Sequence, residues 1–280
     1  IPPTKLPEKT PQYLAVTKGE QFIHTNNCLG CHKLDDEGGA IWPATADWLR
    51  EVADNTNAED MSLVQSFSPP LLNTQGRKTQ PQWLLKWFKN VSMIRPHLQV
   101  RMPSFDYTDE EWNDLISYFQ QKDNLDLMYE DPHDFTLNSS SFKAGERIAE
   151  MGACINCHFY GQEKPKQDAL TWAPNLVLTK ERLRPEWLVE WFINPQDVMP
   201  GTKMPAPYIP TEEPQNSIRE VWGSDVAQIS RDSTKLYKSL IDWMWGMEGR
   251  KDVSSIVRRH LNSQGYGFII EEEDDWGDEW

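Results

Sequence analysis

The stretch Cys28-Leu29-Gly30-Cys31-His32 returns in the same pattern as Cys154-Ile155-Asn156-Cys157-His158. C-x-x-C-H is the arrangement in which two thiols form thioethers with the vinyl groups of a haem while the next residue brings an imidazole to the iron. The spacing suits that chemistry. Two cysteines three positions apart on one helical turn point the same way, and the adjacent histidine is carried beneath the ring, where its second nitrogen can be held by a backbone carbonyl. Other uses of C-x-x-C fit less well. Zinc ribbons place about 15 to 20 residues between their pairs, far fewer than separate Cys31 from Cys154, and a dithiol redox pair needs no following histidine. The expectation is two covalently bound haem c groups on Cys28, Cys31, Cys154 and Cys157, with His32 and His158 as iron ligands.

A chain of 280 residues has room for about two domains, one per haem. The two motifs use all four cysteines, leaving no disulfide framework. Haem attachment of this kind belongs to the extracytoplasmic side of a membrane, so a periplasmic or otherwise exported location is expected. A first residue Ile1 fits numbering after a removed export signal. No apolar run approaches the roughly 20 residues of a transmembrane segment; the nearest, Leu240 to Met247, carries Asp242. A net charge of −15 argues against nucleic acid and anionic membrane surfaces and suits a basic docking partner or simple solubility. Seven of the acidic residues fall in the last ten positions, an acidic tail in which Trp276 and Trp280 could serve docking.

The halves repeat one another. Gly19 precedes Cys28 by nine residues, as Gly145 precedes Cys154. Residues 81–90 and 185–194 share P-x-W-L-x-x-W-F-x-N, each read as a helix opening on proline with one apolar face. Each half then reaches a methionine before a proline in an irregular polar stretch, Met102-Pro103 and Met204-Pro205. Thioether sulfur is a soft ligand for haem iron opposite histidine, which makes Met102 and Met204 the axial candidates, with His97 the alternative in the first half. Closing helices follow, one from the capping box Thr108-Asp109-Glu110-Glu111, the other carrying Leu236, Leu240, Ile241 and Met244. The expected division is a Pro-rich arm at 1–17, a first haem domain at 18–122, a linker at 123–142, a second haem domain at 143–247 and a C-terminal extension at 248–280. The first half is longer between haem motif and tryptophan helix, the second between methionine and closing helix, and both insertions are expected as surface loops.

Taken together these segments resemble the class I cytochrome c domain, twice over, in the manner of tandem di-haem c-type cytochromes of bacterial respiratory chains. The resemblance covers about residues 18–122 and 143–247 and implies an all-α fold. In the second half Asn194-Pro195 and Pro200-Gly201-Thr202-Lys203-Met204 are close to the family's N-P…P-G-T-K-M run; the first half departs from it, with Val91 after Asn90 and Pro96-His97 in place of Pro-Gly. The resemblance further implies that the carbonyls of Pro69 and Pro174 receive the ligand histidines, and that Arg77, Arg182, Trp83 and Trp187 lie near haem propionates. It also puts Gly19 and Gly145 at helix crossings beside Tyr118 and Trp243.

Two six-coordinate haems leave no place for substrate, so the expected role is single-electron transfer rather than catalysis, as a shuttle or as a haem subunit of a quinol-oxidising or terminal-reductase complex, between redox protein donor and acceptor. The alternative is a di-haem redox enzyme, a peroxidase or a sulfur or nitrogen oxyanion oxidoreductase, with an open iron in the first half. High-spin ferric signal or ready cyanide binding would mark it.

Overall fold

The computed structural model describes residues 10–52, 61–96, 98, 100–126 and 128–263. His97 and the acidic tail lie outside the described residues. The described chain is mostly helical, with one two-stranded hairpin of two-residue strands, β1 (Lys33–Leu34) and β2 (Glu37–Gly38).

Helix α1 (Pro11–Thr25) starts before the expected first haem domain and takes in part of the Pro-rich arm. Pro11 occupies the first turn, where its missing N–H costs nothing, and the Thr10 hydroxyl accepts from Tyr13 N at 3.1 Å. Residues 1–9 lie outside the described part. The first-half insertion is not a loop. It forms α2 (Trp42–Val52) and α3 (Met61–Phe67), and Trp42, Leu49, Val64 and Phe67 close with Leu98 into a small core of their own. A segment with that many large apolar groups gains more by folding on itself than by staying in water. Then come α4 (Gln75–Lys78), α5 (Pro81–Lys89) and α6 (Asp109–Lys122), the last opened by both arms of the Thr108/Glu111 capping box.

In the second half α7 (Ser140–Met151) is capped by Ser139, and α8 (Thr179–Arg182), α9 (Pro185–Ile193) and α10 (Pro195–Val198) follow. The second insertion is also helical, α11 (Gln215–Trp222) and α12 (Ser224–Ile229), with Ile218, Trp222, Val226 and Ala227 in the main core. Ile218 and Trp222 lie four apart on one face of α11, and Val226 and Ala227 sit on α12 beyond the break at Gly223, where φ is 90°, so no continuous helical stripe marks the insertion in the sequence. Helix α13 (Ser233–Trp245) closes the half. The C-terminal extension adds α14 (Ser254–Ser263), whose Val257, with Val253, covers Phe159 and Trp172.

Equivalent helices cross in each half, α1 on α6 and α7 on α13. Gly19 meets Tyr118, as the resemblance implied. Gly145 meets the backbone of Ser239 and Leu240, not Trp243, which is half-buried and packs elsewhere against the core.

The linker is a strap rather than a tether. His133 Nε2 pairs with the Asp242 carboxylate at 2.7 Å, Trp245 Nε1 donates to Asp131 at 2.8 Å, and Gln82 Nε2 donates to the Tyr129 carbonyl at 2.9 Å. The halves also touch directly through an antiparallel bridge, Thr79 to Leu183, and an exposed ion pair, Arg77 to Glu190 at 2.7 Å.

Candidate functional site

Both C-x-x-C-H stretches sit on one local fold. The residue before the first cysteine is left-handed although it is not glycine, with φ 51° at Asn27 and 52° at Ala153. A 3-10 turn follows, Cys28–Gly30 and Cys154–Asn156, and the histidine N–H returns to the carbonyl of the first cysteine at 2.9 Å in one half and 3.0 Å in the other. The reversal turns each imidazole inward.

There Nδ1 of each imidazole lies on a proline carbonyl, His158 on Pro174 at 2.7 Å and His32 on Pro70 at 2.8 Å. The partner in the first half is therefore Pro70 and not Pro69. The register shows why: Leu72 N bonds Lys33 O and Leu176 N bonds Phe159 O, both at 2.9 Å, so the carbonyl two residues before each leucine faces the ring. Burial pushes both imidazoles below the ordinary histidine value and keeps them neutral. With Nδ1 engaged as donor, Nε2 keeps its lone pair for a metal.

Burial also pushes the Cys154 thiol up to about 11 and raises Cys28 and Cys157. Dithiol redox sites lower a cysteine's value to favour thiolate, so the setting is opposite to the one they need. Among the described residues no cluster of three His, Cys, Asp or Glu side chains could hold a free metal ion, and the two C-x-x-C pairs stay in separate halves.

Met102 and Cys28 pack against the same first-half core as Trp83 and Trp87; Met204 and Cys154 pack against the second-half core that contains Trp187. The tryptophan pairs stack at 6.0 Å for Trp83 and Trp87 and at 5.1 Å for Trp187 and Trp191. The methionine loops differ. Trp191 Nε1 donates to the Met204 sulfur at 2.8 Å, whereas its counterpart Trp87 donates to the Ser92 carbonyl at 3.0 Å. The Met204 loop is further braced from the first half, where Phe67 lies 4.3 Å beneath the Lys203 ammonium and Gln65 bonds the Pro200 carbonyl.

Arg77 points outward to Glu190. The residue in register with Arg182, three before the helix proline, is Lys78, and it is buried. Arg182 has its Nε sealed from solvent with no acceptor, as has Trp187 at Nε1. Buried donors without acceptors fit a group that brings oxygens, as the carboxylates of a haem do. Asn175 also went unnoticed in the sequence. Buried beside Pro174, it bonds Gly161 and the carbonyls of Arg250 and Lys251, tying the histidine's loop to the C-terminal extension.

The cytochrome c family model matches residues 16–123. One nitric oxide reductase subunit, from Halomonas halodenitrificans, is 26% identical over 121 residues, which make up 42% of this chain. The match spans 66% of that protein's length, just under two thirds. No solved structure matches. With the first C-x-x-C-H, its held histidine and its helix crossing inside the matched span, residues 16–123 are a cytochrome c domain.

Proposed function

We propose that the chain is a two-haem electron-transfer protein of the extracytoplasmic side, its second half a further cytochrome c unit, acting as a haem subunit of a larger redox complex. The observation that carries the reading is the repetition of one site geometry: a left-handed residue, a 3-10 turn, and an imidazole Nδ1 on a proline carbonyl at 2.8 and 2.7 Å. The likeness to a nitric oxide reductase subunit supports membership of a complex with a quinol-oxidising or terminal-reductase partner. Among the described residues no helix is long and apolar enough to cross a membrane.

When bound, each haem supplies a one-electron iron couple. The chain does the rest. Cys28 and Cys31, and Cys154 and Cys157, hold the ring as thioethers. His32 and His158 would offer Nε2 from rings fixed at Nδ1, and Met102 and Met204 would offer thioether sulfur. With those four side chains on the irons, the protein would leave substrate no place to bind and would keep the same ligands in both redox states. The apolar packing around each site favours ferrous iron, which carries less charge.

Met204→Ala tests the assignment. Haem should stay attached, while one couple falls in potential and binds external cyanide; an unmoved potential rejects Met204 as ligand. In the unaltered protein the pyridine haemochrome should count two haems per chain, and the ferric spectrum should be low-spin throughout.

A further inference from the structure

The seam between the halves has a local two-fold pattern. Gln80 N donates to Arg182 O at 2.9 Å and Arg184 N donates to Lys78 O at 3.0 Å, on either side of the Thr79 to Leu183 bridge. In the register of the repeat Lys78 corresponds to Arg182 and Trp83 to Trp187. The side chains exchange across it as the backbones do. Lys78 Nζ, from the first half, lies 5.3 Å from the ring of Trp187, and Arg182 Cζ, from the second, lies 5.5 Å from the ring of Trp83.

These cations are expensive where they stand. Lys78 is 8% exposed, and Arg182 has its Nε sealed without an acceptor. Arg95 adds a third positive charge, its guanidinium on the carbonyls of Ser66 and Ser68. Among the described residues none of the three forms an ion pair with a carboxylate. Burial and mutual repulsion together push Arg182 down to about 10 and Lys78 well below the usual lysine value. Cation–π contact supplies only about 2 kcal/mol when desolvated, against several kcal/mol for each ion taken out of water. Anions absent from the chain must make up the difference. The orphaned Trp187 Nε1 in the ring beneath Lys78, and the orphaned Arg182 Nε over Trp83, mark where their oxygens go.

On the two-haem reading, we propose that the seam is a crossed anion site. Lys78 of the first half binds the propionate carboxylates of the haem in the second half, together with Trp187 Nε1, and Arg182 of the second half binds those of the haem in the first. Each haem is then anchored by a cation from the other half, so the halves are held together by the groups they carry and each iron feels a charge fixed on its neighbour.

The test uses the full chain with its haems. Lys78→Met and Arg182→Met remove one charge each at similar volume, and the two couples are told apart by Met102→His and Met204→His, each of which displaces only its own. Ferric iron carries one more positive charge than ferrous, so removing a nearby cation lowers the potential. Lys78→Met should raise the ferric-to-ferrous ratio of the Met204-marked couple about tenfold at fixed ambient potential, equal to 59 mV for one electron, and move the Met102-marked couple less. Arg182→Met should do the reverse. A shift confined to the variant's own half, or no shift in either, overturns the crossing, while a haem count other than two overturns the underlying reading instead. Should the Lys78 and Arg182 variants not fold, the protein carrying only the Met102→His or only the Met204→His marker still decides. The Arg182 Nε–H proton resonance should broaden when the Met102-marked haem is oxidised, and broadening that follows the Met204-marked haem overturns the proposal.

Discussion

Gly145 lets α7 approach α13 so closely that a Cβ in its place would sit 1.8 Å from the Ser239 carbonyl oxygen and 2.4 Å from the Ser239 carbonyl carbon. Backbone cannot swing aside as a side chain can, so the helices must part. Gly145→Ala should destabilise the protein by about 2 to 3 kcal/mol, read as a lower denaturant midpoint. Gly19→Ala meets Tyr118 Cβ at 2.0 Å, again an atom close to the backbone, and should behave similarly. The two glycines stood out in the sequence because they kept the same distance to their cysteines. Their contacts did not: which residue of α13 passes over Gly145 depends on the crossing angle of two helices, which no local pattern records. The same limit explains Pro70. Ser68-Pro69-Pro70-Leu71 offers two proline carbonyls, and only the pairing of Leu72 with Lys33 decides between them.

At the scale of elements, the capping box of α6 has a pH dependence with a definite sign. The backbone N–H and hydroxyl of Thr108 hold Glu111 below the usual carboxylate value. A carboxylate depressed by folding adds stability that is present above the unfolded value of about 4.3 and lost as pH falls through the folded one. Melting temperature should therefore fall less steeply between about pH 5 and pH 3 in Glu111→Gln than in the unaltered protein; equal slopes would show that the box contributes nothing. Thr108 and Glu111 were legible because capping is a matter of four consecutive residues. Helices α2, α3, α11 and α12 were not, since each is short and gains its stability from tertiary packing rather than propensity. Helix α14 belongs with them: Val253, Ile256, Val257 and Leu261 do fall on one face, but the acidic segment beyond them draws attention to charge instead.

For the whole molecule the joints matter more than the parts. His133 and Asp242 are each 11% exposed at the side chain, which makes the linker's anchor a buried pair whose removal leaves a charged or polar group stranded. Asp242→Ala should cost about 3 kcal/mol and loosen residues 128–135, seen as faster amide exchange there; exchange unchanged from the parent would show the strap to be held by Tyr129 and Trp245 alone. The sequence by itself determined the pattern on which the two-haem proposal rests, two C-x-x-C-H motifs, each followed in its half by a Met-Pro pair, and the repeat that pairs them, because such motifs are spelled by residues a few positions apart. Only the tertiary structure decided how the halves meet. It turned Arg77 outward to Glu190, buried Lys78 in its place, and carried each cation across to the other half's tryptophan. A seam between distant segments is set by which surfaces lose water together, and that sum is taken over the folded chain rather than along it.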